Sequence, residues 1–168
     1  MNTTPDVRTV APTDPAEVAA LLAACAGENA AVVPYGGGTL QAIGNAPIRC
    51  DVALDLRGVS GIREYDPREM TLGIAAGTTV AEVSRVLGTA NQFVPFDVPH
   101  PERATIGGSL ASGWLGPRRA SYGRLRDLVI GSTAALSDGT LASSGGMVVK
   151  NVTGYDVSKL YIGSLGTL

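Results

Sequence analysis

The feature that most constrains this chain is Pro34-Tyr35-Gly36-Gly37-Gly38-Thr39, a glycine run set directly behind the apolar, strand-like residues 30–33. Successive residues without a Cβ free the backbone to turn through positive φ and let its amides close on a ligand, a geometry that suits a phosphate. A tight strand-exit turn would use the same glycines, so this stretch alone leaves both readings open. A second small-residue stretch, Thr105-Ile106-Gly107-Gly108-Ser109-Leu110-Ala111-Ser112-Gly113, reads as the opening of a helix with bare N–H groups. It is expected to approach the same anion from another side, which suggests a pyrophosphate.

Two standard phosphate motifs are absent. Gly108 and Gly113 have the glycine spacing of Gly-x-x-x-x-Gly-Lys-Ser/Thr, but Trp114 and Leu115 stand where the lysine and hydroxyl belong. The Gly-x-Gly-x-x-Gly dinucleotide fingerprint with its downstream acid is missing in register as well. Another fold must read the ligand.

At 168 residues the chain suits one domain, or two small lobes sharing a site. Its hydrophobic fraction of 45% owes much to alanine, and no apolar run reaches the roughly 18 residues of a membrane span. The start, Met1 to Asp6, lacks the basic and apolar regions of a signal peptide, so the cytoplasm is the expected compartment. Cys25 and Cys50 have no metal or redox spacing and read as reduced, buried thiols. A formal charge of −2 without a long basic run argues against a nucleic-acid surface.

Local signals order the elements. Val7 to Val10 reads as a strand, and Asp14-Pro15-Ala16-Glu17 caps a helix that runs to about Ala26, with Val18, Leu21, Leu22 and Cys25 on one face. Residues 51–56, 61–66 and 70–75 read as strands forming one small sheet, and Thr79-Val80-Ala81-Glu82 caps a second helix ending near Gly88. Pro95, Pro99 and Pro101 force an irregular lead into Thr105. Residues 125–136 are apolar and β-prone, Asp138-Gly139 marks a hairpin, Gly145-Gly146 interrupts its second arm, and a short helix is expected from Asp156. The chain stops after Gly163-Ser164-Leu165-Gly166-Thr167-Leu168 with no closing strand, so the second lobe is expected to be incomplete.

Taken together, the first and second glycine stretches, Gly116-Pro117-Arg118-Arg119, Tyr122-Gly123 with Arg126-Asp127, residues 150–160 and Gly163 to Thr167 carry a resemblance over almost the whole chain. It resembles the flavin-binding domain of the vanillyl-alcohol oxidase and p-cresol methylhydroxylase (PCMH) superfamily, and more closely the FAD-binding subunits of bacterial glycolate oxidases. The resemblance implies an α+β, two-lobed PCMH-type FAD-binding domain: a small N-terminal β-α-β lobe, residues 1–76, and a larger mixed-sheet lobe with flanking helices, residues 77–168. It implies FAD extended between the lobes, with Tyr35 to Thr39 on the pyrophosphate and Thr105, Gly107, Gly108 and Ser109 along the middle of the cofactor. Pro34, Leu40, Pro99, Ile106, Ser112, Gly113, Tyr122 and Gly123 complete the implied cofactor surroundings. A branched side chain at Gly37 is expected to collide with the phosphates.

The implied activity is oxidation of a 2-hydroxy acid such as glycolate, with other oxidase subunits as partners and attachment to the inner membrane through a complex. The resemblance departs from the family at two places. The first loop has Tyr35 and glycines where covalent members carry His or Cys, so noncovalent FAD is expected, and the substrate-binding half is missing. Alternatives are a flavin-carrying electron-transfer subunit without substrate chemistry, and a module for another nucleotide phosphate. His100, the sole histidine, reads as a surface or turn residue and no general base is assigned. Arg118-Arg119 is either an anion-attracting pair or a solvated turn, Trp114 and Tyr122 either stack on the ligand or pack, and Lys150 and Asp156 show no partner in the sequence.

Overall fold

In the computed structural model, residues 7–114, 116–147 and 156–168 are described. Lys150 and residues 151–155, expected from sequence to form a loop, lie outside them. The N-terminal part is a parallel sheet of β1 (Arg8–Val10), β2 (Val32–Tyr35) and β3 (Val52–Asp55), in the order β1-β3-β2. Helix α1 (Pro15–Gly27) makes the crossover between β1 and β2. The Asp14 carboxylate accepts from the amides of Ala16 and Glu17, and Glu17 reaches back to the Thr13 amide at 2.7 Å, so both ends of the capping signal are engaged.

Two features of this sheet differ from the sequence expectation. Strand β2 runs through Pro34 and Tyr35, so the loop proper begins at Gly36; proline is tolerated because β2 is an edge strand. Residues 51–56 do not join the strands that follow them. β3 inserts between β1 and β2, and that pairing is set by long-range register, which local alternation of polar and apolar residues does not encode. Strands β4 (Ile62–Asp66) and β5 (Thr71–Ile74) form their own antiparallel hairpin.

Helix α2 (Val80–Gly88) is capped by Thr79, whose hydroxyl accepts from Glu82. An irregular stretch then leads to α3 (Ile106–Ser112). Two single turns follow, α4 (Arg119–Tyr122) and α5 (Leu125–Leu128), so the apolar run from Leu125 opens as helix and becomes strand only at β6 (Gly131–Ala135). Asp127 accounts for this: its carboxylate accepts the Arg124 amide at 3.3 Å and caps the turn. The Asp138-Gly139 turn joins β6 to β7 (Leu141–Gly145) as expected, though β7 includes Gly145 rather than breaking before it. Helix α6 (Ser158–Tyr161) closes the described chain, and Asp156 pairs with Lys159 at 2.7 Å.

Two apolar clusters hold these pieces. One joins Val18 of α1, Leu54, Val59 and Ala75, with Ala135 of β6 packed against it. The other gathers Val80, Val83 and Leu87 of α2 with Val94, Ala104 and Ile106, and draws in Tyr65, Leu72 and Ile74 of the β4–β5 hairpin. The tip of the β6–β7 hairpin rests on α1: a Cβ at Gly139 would sit 2.8 Å from that of Ala23. Leu54 is 2% exposed at the centre of the parallel sheet. Leu54→Ala is therefore expected to cost about 2–5 kcal/mol, read by urea denaturation; a loss below about 1 kcal/mol would show that this cluster does not anchor the sheet.

Candidate functional site: a backbone amide cradle

The chain leaves β2 into residues 36–40, where the peptide amides of Gly36, Gly37, Gly38, Thr39 and Leu40 meet no protein acceptor among the described residues. Most of this loop is half-buried, with Gly38 exposed. Gly38 has φ +66°, a conformation that turns successive N–H groups to a common side. An oxygen-rich anion is the chemistry such a row of donors serves.

The loop lies directly against the second small-residue stretch. A Cβ at Gly37 would overlap the Arg103 carbonyl oxygen, and one at Gly36 would overlap the Thr105 hydroxyl. Close packing thus calls for both glycines, Gly37 against main chain and Gly36 against the Thr105 side chain, whatever the ligand. The expectation that a side chain at Gly37 meets phosphates is corrected here: it meets Arg103 first.

The start of α3 also differs from expectation, because its amides are not bare. Ile106 donates to Thr78 O at 2.9 Å, Gly107 to Ala76 O at 2.8 Å and Gly108 to the Thr105 hydroxyl at 3.2 Å. The carbonyls come from the segment before α2, which pairs with Thr105 through a single bridge to Thr79. A Cβ at Gly107 would lie 2.8 Å from that of Ala76, so this glycine too serves close approach. Ser109 is buried and donates to Thr105 O at 2.7 Å, while Ser112 donates to Ser109 O.

A cavity of about 300 Å³ opens where the loop meets α3, lined by Gly37, Arg57, Thr79, Glu82, Glu102, Arg103 and Thr105 among others. A second, of about 230 Å³, lies at the other end of α3 and includes Ser112, Gly113, Arg124, Arg126 and Lys159. The helix between them is about 10 Å long, at 1.5 Å per residue. In the wall of the second cavity, the turn at Gly163 docks on α3: Gly163 donates to Leu110 O at 3.0 Å and Leu165 to Ala111 O at 2.8 Å. The same turn touches the first loop's strand, since a Cβ at Gly166 would stand 2.9 Å from Pro34 Cγ.

Other expected residues are placed elsewhere. Arg118 is bound by Asp97 (Nε to Oδ1, 3.1 Å) and donates to Val94 O at 3.1 Å, over the Phe93 ring. Tyr122 meets Phe93 edge-on at 5.3 Å, and Gly123 ends α4. Pro99 is half-buried in the lead to Thr105. His100 is exposed with φ +53°, its carbonyl accepting from Arg103 and Ala104, so it is a turn residue as the sequence suggested. Sequence reasoning missed Asp55, Arg57 and Arg103; the Asp-x-Arg spacing of the first two was visible, but nothing local marks Arg103.

Buried Asp55 sits opposite Tyr35 at the loop's entry and binds Arg57 through both carboxylate oxygens. The Arg57 side chain, then its amide and Tyr35, hold the Asp55 carboxyl below its ordinary 3.8, against the opposing effect of burial.

Gly37→Ala is expected to destabilise the protein by about 1–3 kcal/mol in urea, because the new methyl meets backbone. Wild-type stability would overturn the packing account. With a depressed folded-state pKa, the stability that Asp55 contributes is fully present above the unfolded value and lost as pH falls through the folded one. Stability below about pH 4 should therefore fall more steeply in the wild type than in Asp55→Asn, measured by urea midpoints across that range.

Residues 7–145 match the family described as FAD binding domain. The chain is 42% identical over 116 residues to the glycolate oxidase subunit GlcE of Escherichia coli, covering 68% of this chain and 33% of that protein. It is 32% identical to the glycolate oxidase subunit GlcD of Bacillus subtilis, covering 95% of this chain and 34% of that protein. Among solved structures, an alkyldihydroxyacetonephosphate synthase superposes with a TM-score of 0.77 at 27% identity, over 95% of this chain and 29% of that one. This chain thus spans about a third of the length of the curated relatives it matches. By the extent of the matched residues, the chain belongs to the FAD binding domain family.

Proposed function

We propose that this chain is the FAD-binding portion of a flavin oxidoreductase that oxidises a 2-hydroxy acid such as glycolate, working with other oxidase subunits. The observation that carries the reading is the row of amides from Gly36 to Leu40 without a protein acceptor, in a chain of the FAD binding domain family. The names of the GlcE and GlcD relatives support the substrate class and the setting in a complex.

The residues fit the cofactor. The amides of residues 36–40 hold the diphosphate, with Pro34 and Tyr35 fixing the strand from which the loop departs. Because the first amides of α3 are occupied, Thr105, Gly107 and Gly108 line the cofactor by their small, close-packed surface rather than by donating. Ile106, Ser109, Ser112 and Gly113 shape the same helix, and Leu40, Pro99, Tyr122 and Gly123 complete the cofactor surroundings in this reading. The division at residues 76 and 77 is the seam between two lobes in this reading. When bound, FAD supplies the acceptance of a hydride that oxidation of an alcohol carbon requires. The chain's own part is to bind and orient, and Tyr35 and glycines at the covalent-link position favour noncovalent attachment.

Substrate handling belongs in this proposal to sequence corresponding to the rest of the longer relatives, or to a partner subunit. Among the described residues no helix is long and apolar enough to cross a membrane. A cytoplasmic location with peripheral attachment through the complex is part of the same proposal.

The test is optical. Purified chain saturated with FAD should release all its flavin on acid precipitation, and its melting temperature should rise with FAD, by the equivalent of about 2.7 kcal/mol at a hundredfold excess over Kd. Flavin retained in the acid pellet would overturn noncovalent binding, and a melt indifferent to FAD would overturn the cofactor site. Anaerobic mixing with glycolate, D-lactate and 2-hydroxybutyrate should leave the oxidised flavin band unbleached until the partner subunit is added. Rapid bleaching by the chain alone would show that it holds the substrate site.

A further inference from the structure

We propose that Arg103 is a positioning residue for the diphosphate cradle, fixing the peptide between Gly37 and Gly38 so that the Gly38 amide faces the ligand. This rests on the FAD reading above. The Arg103 guanidinium donates from Nη2 to the Gly37 carbonyl at 3.2 Å. The peptide is planar and trans, so a carbonyl turned toward Arg103 sends the next N–H, that of Gly38, the opposite way. The backbone of the same arginine lies against the Gly37 α-carbon, at the place where a Cβ would overlap its carbonyl oxygen. One residue therefore grips Gly37 by main chain and side chain together.

The grip matters because the loop is made of glycine. A peptide between two glycines turns over at little steric cost, since both flanking residues tolerate either sign of φ. Turned over, the 37–38 peptide would point its N–H at the guanidinium, donor against donor, and its carbonyl at the phosphates. The observed state, with Gly38 at φ +66°, keeps the amide row intact.

Arg103 is also suited to this by its surroundings. Arg57, on the same cavity, donates to both carboxylate oxygens of Asp55. Arg103 has no carboxylate within ion-pair distance among the described residues, although Glu82 and Glu102 line that cavity too. Its guanidinium is left to the carbonyl.

The experiment compares the wild type with Arg103→Met, which keeps the stem and removes the donors, and Arg103→Lys, which keeps a cationic donor. FAD dissociation constants come from flavin fluorescence, and urea midpoints are measured without FAD. Arg103→Met should bind FAD about tenfold more weakly with its urea midpoint unchanged, and Arg103→Lys should lie within about threefold of the wild type. Equal FAD affinity in the wild type and Arg103→Met overturns the inference. So does a loss that tracks a lowered urea midpoint or failure to fold, or a lysine variant no better than methionine. If the wild type itself does not bind FAD, it is the cofactor reading that falls.

Discussion

The Arg103 carbonyl against the α-carbon of Gly37, and the Thr105 hydroxyl against Gly36, form the contact on which the rest of the site depends. It joins the exit of the parallel sheet to the entry of α3 with no side chain from the loop between them. Similar contacts recur nearby: Gly107 lies on Ala76, and Gly77 lies on the carbonyls of Leu56 and Val59. Main chain packed on main chain brings amides and carbonyls from distant segments into hydrogen-bonding range. This explains why α3 opens with its amides already occupied while the neighbouring loop keeps its own. It also explains how a chain with 5% aromatic residues and two modest apolar clusters holds several segments in register.

The electrostatics follow from the same economy of side chains. Arg57, Arg68 and Arg124 each bind an aspartate two or three residues away, and Arg49 and Lys159 do likewise. Such local pairs stiffen turns and contribute little as surface salt bridges. They also cancel much of the side-chain charge. The donors of the cradle itself are peptide amides, whose dipoles stay unchanged across the pH range in which side chains titrate.

What was legible in the sequence was what neighbours decide. Asp14 and Thr79 cap the helices they were expected to cap, and Asp138-Gly139 makes its hairpin, because each device acts within a few residues. The glycine run marked the loop, and its family resemblance is borne out by the match over residues 7–145. What could not be read depends on partners far along the chain. β3 takes its neighbours from β1 and β2, and the α3 amides find Ala76 and Thr78. Arg103 meets Gly37 across a separation that no spacing rule covers. The capped turn at Leu125 is the exception, for Asp127 was visible and was outweighed by the β-prone run around it.

The turn at Gly163 has a consequence for the order in which the molecule is assembled. The carbonyls of Leu110 and Ala111 at the end of α3 receive the amides of Gly163 and Leu165, and Gly166 touches Pro34. During synthesis, helix and loop emerge long before the segment that fastens them to each other. Closing so long a stretch of chain is slow relative to local structure, since its ends must meet before any contact repays the lost freedom. Until then the two halves of the cradle are joined by the contacts of Gly36 with Thr105 and of Gly37 with Arg103, and a nascent chain waits for the turn at Gly163 before this site is braced from both sides.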